Sequence, residues 1–355
     1  MSIQVNPEML FRSSYIDYMI YLFQATSENV FPNPVDVPNS AWNEYIDILY
    51  SRCGQPIPEK HITNSLHEID IPESDSKILL AFSGGKDSVA HAAYLVDHGF
   101  DTTLFFVRNA NRAYPNEYHV AQKIASMLDC KLAEDTLRYK GSVNRAESPV
   151  KNHLILSLMI DYMQANQITK CACGTYLEDT LQKTSTFFGL SDAYEFYRAF
   201  EKAIQATFPN FKWICWFKSE VHALSYLVNK HPELIPEYQS CLLPDRYRKR
   251  VKAANEKKHN IILMPNRCGS CWKCAQEYLI LHMLHYHTLT PEYLKNSILP
   301  QFRKDLVKVM DESEVSKHSN DTMEQLIENY VTLDHVRRYL NPENIERDID
   351  SKVFN

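Results

Sequence analysis

The chain has 355 residues, 45% of them hydrophobic, and a formal net charge of −6 at neutral pH. That length can bury a sizeable core and fill two domains or one with large extensions, while the acidic balance excludes a global basic field for recruiting nucleic acid. No apolar run is long enough to read as a membrane span, and the opening MSIQVNPEMLFRSSY lacks the order of a secretory signal, so a soluble cytoplasmic protein is expected.

Residues 1–75 read as a helical N-terminal extension. YIDYMIYLF and AWNEYIDILY carry apolar residues at helical spacing, and FPNPVDVPN interrupts them. HEIDIPESDS reads as an acidic linker. From Lys77 the pattern changes to strand–helix alternation over residues 76–235. KILLAF is a continuous apolar run, as expected of a strand covered on both faces. Asp87 to His98 is helical and stops at Gly99. TTLFFV is the next strand and Asn116 to Leu128 the next helix. KLAEDTL is a weaker strand, followed by a helix from Val150 to Ala165. TKCACGT is a strand with a helix from about Glu178, and KWICWF with SEVHALSYLVNK repeats the unit. Such repetition predicts an α/β fold built on a doubly wound parallel sheet. Residues 236–288 hold a cysteine-rich element with a basic insertion, and residues 289–355 read as a polar helical C-terminal extension.

Glycine numbers only 8, yet two adjoin in SGGKDS, between the first apolar strand and its helix. Ligands of open parallel sheets bind at the carboxyl ends of strands, and a helix N-terminus suits an anion. Gly84 and Gly85 let backbone N–H groups approach a phosphate without a Cβ in the way. Ser83 and Ser88 supply hydroxyl donors and Lys86 supplies charge. Asp87 either caps the helix or holds a magnesium ion. The competing reading is an ordinary strand–helix turn.

Cys268, Cys271 and Cys274 recur every third residue, and a spacer of 26 residues separates Cys241 from Cys268. Four thiolates with this spacing fit a closed tetrahedral zinc site of structural rather than catalytic kind. The long spacer places Cys241 in competition with His282, His285 and His287 as fourth ligand, and an iron–sulfur cluster is the alternative metal centre. Cys53, Cys130, Cys171, Cys173 and Cys215 read as small buried hydrophobes. The spacer includes DRYRKRVKAANEKKHN, with seven Lys or Arg against Asp245 and Glu256. It reads either as a solvated helix face or as a grip for RNA phosphates or an acidic partner.

The turn is not the G-x-x-x-x-G-K-[ST] loop of γ-phosphate transfer. It resembles the SGGxDS motif of the PP-loop (N-type) ATP pyrophosphatases, whose fold is the adenine nucleotide alpha-hydrolase-like sheet. The resemblance implies that ATP binds with magnesium, that its pyrophosphate is held at residues 83–88, and that a substrate oxygen attacks the α-phosphorus. The residues that follow resemble the 7-cyano-7-deazaguanine synthases over roughly residues 77–285. NRAYPNEYHVAQKIASML brings Arg112, Glu117 and Ala121 into corresponding places. SPVKNHLILSL matches with Asn152, and with Lys151 where the family carries arginine. CGTYLED matches through Gly174 and Asp179, GLSDAYEFYRAF through Asp192, Glu195 and Phe196, and FKSEVHAL through Lys218 and Glu220. The family also has a zinc site of four cysteines. By this resemblance Lys86, Asp87, Asp179 and Asp192 are catalytic. Ser83, Gly84, Gly85, Lys86, Asp87, Ser88, Arg112, Lys151, Asn152 and Gly174 bind ligand. Asp179 and Asp192 read alternatively as solvated loop carboxylates.

The chain departs from the family at Lys86, where glutamine is usual, in NAN for YGQ, and in an insertion between Asp179 and Asp192. The resemblance implies adenylation of a carboxylate, 7-carboxy-7-deazaguanine, then amine attack to an amide and a nitrile. With no Met-Cys start and a first cysteine at Cys53, the amine is expected from solution or another molecule. Two rival readings stand beside it. One is a synthase-like ligase that joins the deazaguanine acid to a protein amine in bacterial defence, the terminal segments serving as docking surfaces. The other is a tRNA-thiolating enzyme. A homodimer is compatible with either.

Overall fold

The computed structural model describes residues 14–27, 30–66, 68–73, 76–108, 117–136, 150–174, 194–214, 220–241, 243, 245–287 and 289–298. The chain divides into two compact units. The first comprises residues 1–83 and 91–216, and the second residues 84–90 and 217–355.

The first unit holds the sheet. Its strands are β3 (Lys77–Ala81), β4 (Asp101–Arg108), β5 (Lys131–Thr136), β6 (Lys170–Ala172) and β7 (Lys212–Ile214), preceded by a short parallel pair, β1 (Val35–Val37) and β2 (Lys60–Ile62). The order is β5-β4-β3-β6-β7 and every pairing is parallel. KILLAF is apolar throughout because β3 is central: Leu80 pairs with Leu104 on one side and Ala172 on the other, and Ile78, Leu79 and Leu80 are buried. The chain runs outward from β3 through β4 to β5, then returns to the far side of β3 with β6. That reversal makes the sheet doubly wound and puts a topological switch point beside β3. The predicted α/β fold class is therefore the observed one.

Helices occupy the first three predicted connections: α3 (Lys86–Asp97), α4 (Glu117–Met127) and α5 (Lys151–Asn166); the helix expected from about Glu178 begins outside the described residues, and α6 (Tyr194–Gln205) precedes β7. Helix α3 stops where its sequence says it should. Gly99 adopts φ +77°, and the N–H groups of Gly99 and Phe100 close onto Val96 and Leu95.

The N-terminal segment differs from the separate extension that its composition suggested. Helices α1 (Ser14–Ser27) and α2 (Trp42–Arg52) share one apolar core with α5 and α6. Trp42 meets Phe200 edge-on at 6.0 Å, Tyr45 stacks on Phe196 at 4.4 Å, and His153 stacks on Phe200 at 4.5 Å. The Tyr45 hydroxyl lies 2.9 Å from His153 Nδ1. The periodicity of α1 and α2 was legible. What it could not say was that their apolar stripe is buried against residues more than a hundred positions away. Each large ring so buried stabilises the fold by about 1.5–3 kcal/mol.

The second unit contains the glycine turn, α7 (Glu220–Lys230), α8 (Asp245–His259) and α9 (Trp272–Met283). Helix α8 is the basic run. Its outer face is exposed at Arg246, Lys249, Arg250, Lys257 and Lys258. Asp245 pairs with Arg248 and Lys249, and Glu256 with Lys252. Among the described residues no helix is long and apolar enough to cross a membrane.

Candidate functional site

Strand β3 hands the chain to α3 through Ser83-Gly84-Gly85. Gly84 sits at φ +75°, a left-handed conformation that a Cβ would strain, which explains a glycine in a chain so poor in them. The Gly84 carbonyl accepts a hydrogen bond from the Gln239 N–H at 3.0 Å. The Gly85 carbonyl accepts from the Val89 N–H and from the Ser88 hydroxyl, each at 3.0 Å. Helix α3 thus starts directly at the turn, and the N–H groups of its first turn have no partner inside the helix. They carry the positive end of the helix dipole.

Lys86 is buried. Its ammonium lies 2.9 Å from Asp87 Oδ1 and 3.3 Å from Glu220 Oε1. Burial works against the Lys86 charge, but Asp87 and then Glu220 more than offset it, so its pKa is pushed up and the ammonium persists. Burial pushes the Glu220 carboxyl up, while Lys86 pulls it down. Glu220 Oε1 accepts no hydrogen bond, so its 3.3 Å approach to Lys86 is a charge contact only. Lys86 thus lies against two carboxylates. Sequence reasoning quoted Glu220 within FKSEVHAL but gave it no role. Its pairing with Lys86, 134 positions earlier, left no local signal.

The four cysteines converge. The Sγ atoms of Cys241, Cys268, Cys271 and Cys274 all lie within 4.8 Å of one another, with Cys241 to Cys271 at 3.9 Å and Cys268 to Cys274 at 3.8 Å. Four sulfurs at the usual zinc–thiolate distance around one tetrahedral ion stand about 3.8 Å apart, so the set fits a single ion rather than a cluster. The backbone N–H groups of Ser270 and Cys271 point at Cys268 Sγ, at 3.4 and 3.2 Å, and that of Leu243 at Cys241 Sγ, at 3.4 Å. Such donors favour thiolates. The Cys268 thiol is held low by hydrogen bonds from Cys241 first, then Cys271 and Cys274. His282, His285 and His287 do not join the cluster among the described residues. The 26-residue spacer does not displace Cys241 because α8 folds against the element, Asn255 donating to the Cys268 carbonyl at 2.8 Å.

A buried ion pair lies between the turn and the cysteines in this unit. Arg267 and Glu277 have no solvent exposure, and their guanidinium and carboxylate meet through two bonds of 2.8 and 2.6 Å. Tyr238 donates to Glu277 at 2.6 Å, and the Ser240 hydroxyl donates to its other oxygen. Arg267 also donates to the Tyr238 carbonyl at 2.7 Å and lies over the Tyr238 ring. This network was absent from the sequence reading, because nothing in NRCGSC distinguishes Arg267 from a surface arginine.

Comparison with protein-family models and with curated proteins gives no match for this chain. Among solved structures, three likenesses are distant. A predicted subunit of a tRNA methyltransferase from Methanocaldococcus jannaschii is 20% identical, with a TM-score of 0.29 over 42% of this chain and 72% of that one. An NH3-dependent NAD synthetase from Campylobacter jejuni is 13% identical, with a TM-score of 0.30 over 67% and 89%. An NMN synthetase from Francisella tularensis is 13% identical, with a TM-score of 0.30 over 77% and 96%. The fold assignment rests on the strand order, not on these likenesses.

Of the other expected site residues, Asn152 lies in the first turn of α5 and Gly174 just beyond β6. Arg112, Asp179, Asp192, Lys218 and the side chains of Lys151 and Glu195 fall outside the described residues.

Proposed function

We propose that the chain is an ATP pyrophosphatase of the PP-loop type that adenylates a carboxylate, 7-carboxy-7-deazaguanine, and converts it with ammonia to an amide and then a nitrile. The observation that carries this reading is the left-handed Gly84 between central β3 and the start of α3, at the switch point of a parallel sheet. The substrate rests on the ordered matches from Ser83 to Cys274.

The turn holds the pyrophosphate of ATP through backbone N–H groups at the start of α3 and the hydroxyl of Ser83, while the Ser88 hydroxyl, expected to join them, is committed to the Gly85 carbonyl. Asp87 beside an anion would repel it, so a cation must stand between them, and ATP arrives with magnesium. Lys86 and Glu220 fix Asp87 from behind. The substrate carboxylate attacks the α-phosphorus in line and pyrophosphate leaves. Ammonia attacks the acyl carbon, AMP leaves, and the adduct loses a proton to give the amide. The amide oxygen then attacks the α-phosphorus of a second ATP and displaces pyrophosphate, and loss of AMP and both N–H protons leaves the nitrile. The four cysteines hold zinc, which closes the fold and supplies no chemistry.

The ligase alternative takes both terminal segments as docking surfaces; helices α1 and α2 of the first share a core with α5 and α6, and residues 299–355 of the second lie outside the described residues. The test is product analysis by mass spectrometry with ATP, 7-carboxy-7-deazaguanine and ammonium. The synthase reading predicts nitrile, abolished in Asp87→Ala with the fold intact. Adenylate that forms amide only on a supplied protein amine would favour the ligase. No acid-dependent product would remove the deazaguanine substrate.

A further inference from the structure

Residues 238–241 touch three things at once. The Gln239 N–H holds the Gly84 carbonyl at 3.0 Å. Tyr238 and Ser240 on either side both donate to Glu277. Cys241, the next residue, is a member of the metal-ligand set. The other partners of the network stand equally close to ligands in sequence. Arg267 directly precedes Cys268, and Glu277 follows Cys274 by one helical turn on α9. Asn266 donates to the Pro236 and Glu237 carbonyls at 3.3 and 2.9 Å, and Arg267 to the Ile235 carbonyl at 3.2 Å. Three of the segment's partners, Asn266, Arg267 and Glu277, therefore lie within a few residues of a cysteine of the metal set. All of these residues belong to one compact unit, together with Gly84–Ala90.

We infer that residues 238–241 form a strap by which the four-cysteine metal site positions the glycine turn, so that metal and nucleoside triphosphate bind cooperatively. An ion fixes Cys241, Cys268 and Cys274 relative to one another. That fixes the Arg267–Glu277 pair and the two donors that flank Gln239, and so the N–H that holds Gly84 in its left-handed conformation. Without the ion the four thiols have no common anchor, and the carbonyl on the phosphate-facing turn loses the register of its donor. Tyr238, Ser240, Arg267 and Glu277 are positioning residues. Linkage makes the effect reciprocal: whatever factor the metal adds to nucleotide affinity, the nucleotide adds to metal affinity. The cooperativity rests on the nucleotide reading of the turn; the mechanical link does not.

Two measurements separate them. Hydrogen exchange needs no nucleotide. Stripping zinc should speed exchange at residues 84–89 and 238–241 together, and unchanged exchange at 84–89 would overturn the strap. Calorimetric titration with magnesium and a non-hydrolysable ATP analogue reads the cooperativity. In the Tyr238→Phe/Ser240→Ala protein, zinc content should persist while affinity falls on the order of tenfold, as is typical of allosteric coupling. A chelator should draw zinc from the wild type more slowly when the analogue is bound. Gln239→Ala keeps the backbone donor and should bind as the wild type, whereas Gln239→Pro removes it and should bind as weakly as the double variant. Equal affinity in all four proteins would refute the strap while sparing the nucleotide reading. Absence of binding to zinc-loaded wild type would refute the nucleotide reading and the cooperativity, leaving exchange to decide the mechanical link.

Discussion

The core around Trp42 and Phe200 is built from rings and aliphatic chains, with the Tyr45–His153 hydrogen bond set among them. The core around Arg267 is built from an ion pair, a phenol, a serine and four thiols. The first distributes its stabilisation over many contacts, each worth little. The second concentrates it in a few groups, each of which leaves a buried charge or orphan donor when removed. The aromatic core should therefore degrade gradually under substitution, and the polar core should fail at single positions.

The largest effect should come from the metal ligands. Cys271→Ser should lose zinc by elemental analysis and open residues 235–298 to proteolysis, since structural zinc binding is worth about 10–16 kcal/mol in small domains. Retention of one zinc with full protease resistance would remove the site. Next comes the ion pair. Glu277→Gln leaves Arg267 buried without a counter-charge and should cost about 3–5 kcal/mol in denaturant unfolding, whereas Arg267→Met with Glu277→Leu should recover the charge penalty alone, because it orphans the Tyr238 and Ser240 hydroxyls and two backbone carbonyls. A double variant as unstable as the single one would mean that the pair itself, not the orphaned charge, holds this core. Tyr45→Phe in the aromatic core should cost about 1–3 kcal/mol, the penalty of one buried polar group that loses its partner. A loss as large as that of Glu277→Gln would erase the contrast between the two cores.

The smallest effect is chemical. Burial pushes the Cys53 and Cys130 thiols up to about 11. At pH 8 nearly all of each is neutral thiol, and the thiolate share should rise tenfold per pH unit until about 11. Both are half-buried rather than the fully buried hydrophobes that the sequence suggests, so their alkylation by iodoacetamide should be slow and climb across that range, and a plateau near pH 9 would contradict their partial desolvation. After zinc removal the cluster cysteines should react first.

The two cores also differ in how far they could be read in advance. Strand–helix alternation and the apolar run KILLAF announced the parallel sheet, because a strand buried on both faces must be apolar on both. SGGKDS and the three-residue cysteine repeat announced the turn and most of the metal set, because backbone conformation and thiol spacing are local. The Arg267–Glu277 pair, the grip of Glu220 on Lys86 and the Gln239–Gly84 bond were not legible. Each joins ordinary polar residues far apart in sequence, and Gln239 acts through its backbone, which every residue but proline shares. The insertion that cast doubt on Cys241 proved to be α8, whose basic outer face hides the Asn255 contact that ties it to the metal element.

Presentation of the α-phosphorus of ATP to a substrate carboxylate by residues 83–88, as proposed, has a direct test: 7-carboxy-7-deazaguanine labelled with ¹⁸O in both carboxylate oxygens is incubated with ATP and ammonium, and the label is followed by ³¹P NMR. Two AMP per nitrile are expected, each carrying one ¹⁸O, because the carboxylate oxygen and then the amide oxygen each leave on phosphorus. Unlabelled AMP, or ADP in place of AMP, would contradict that role.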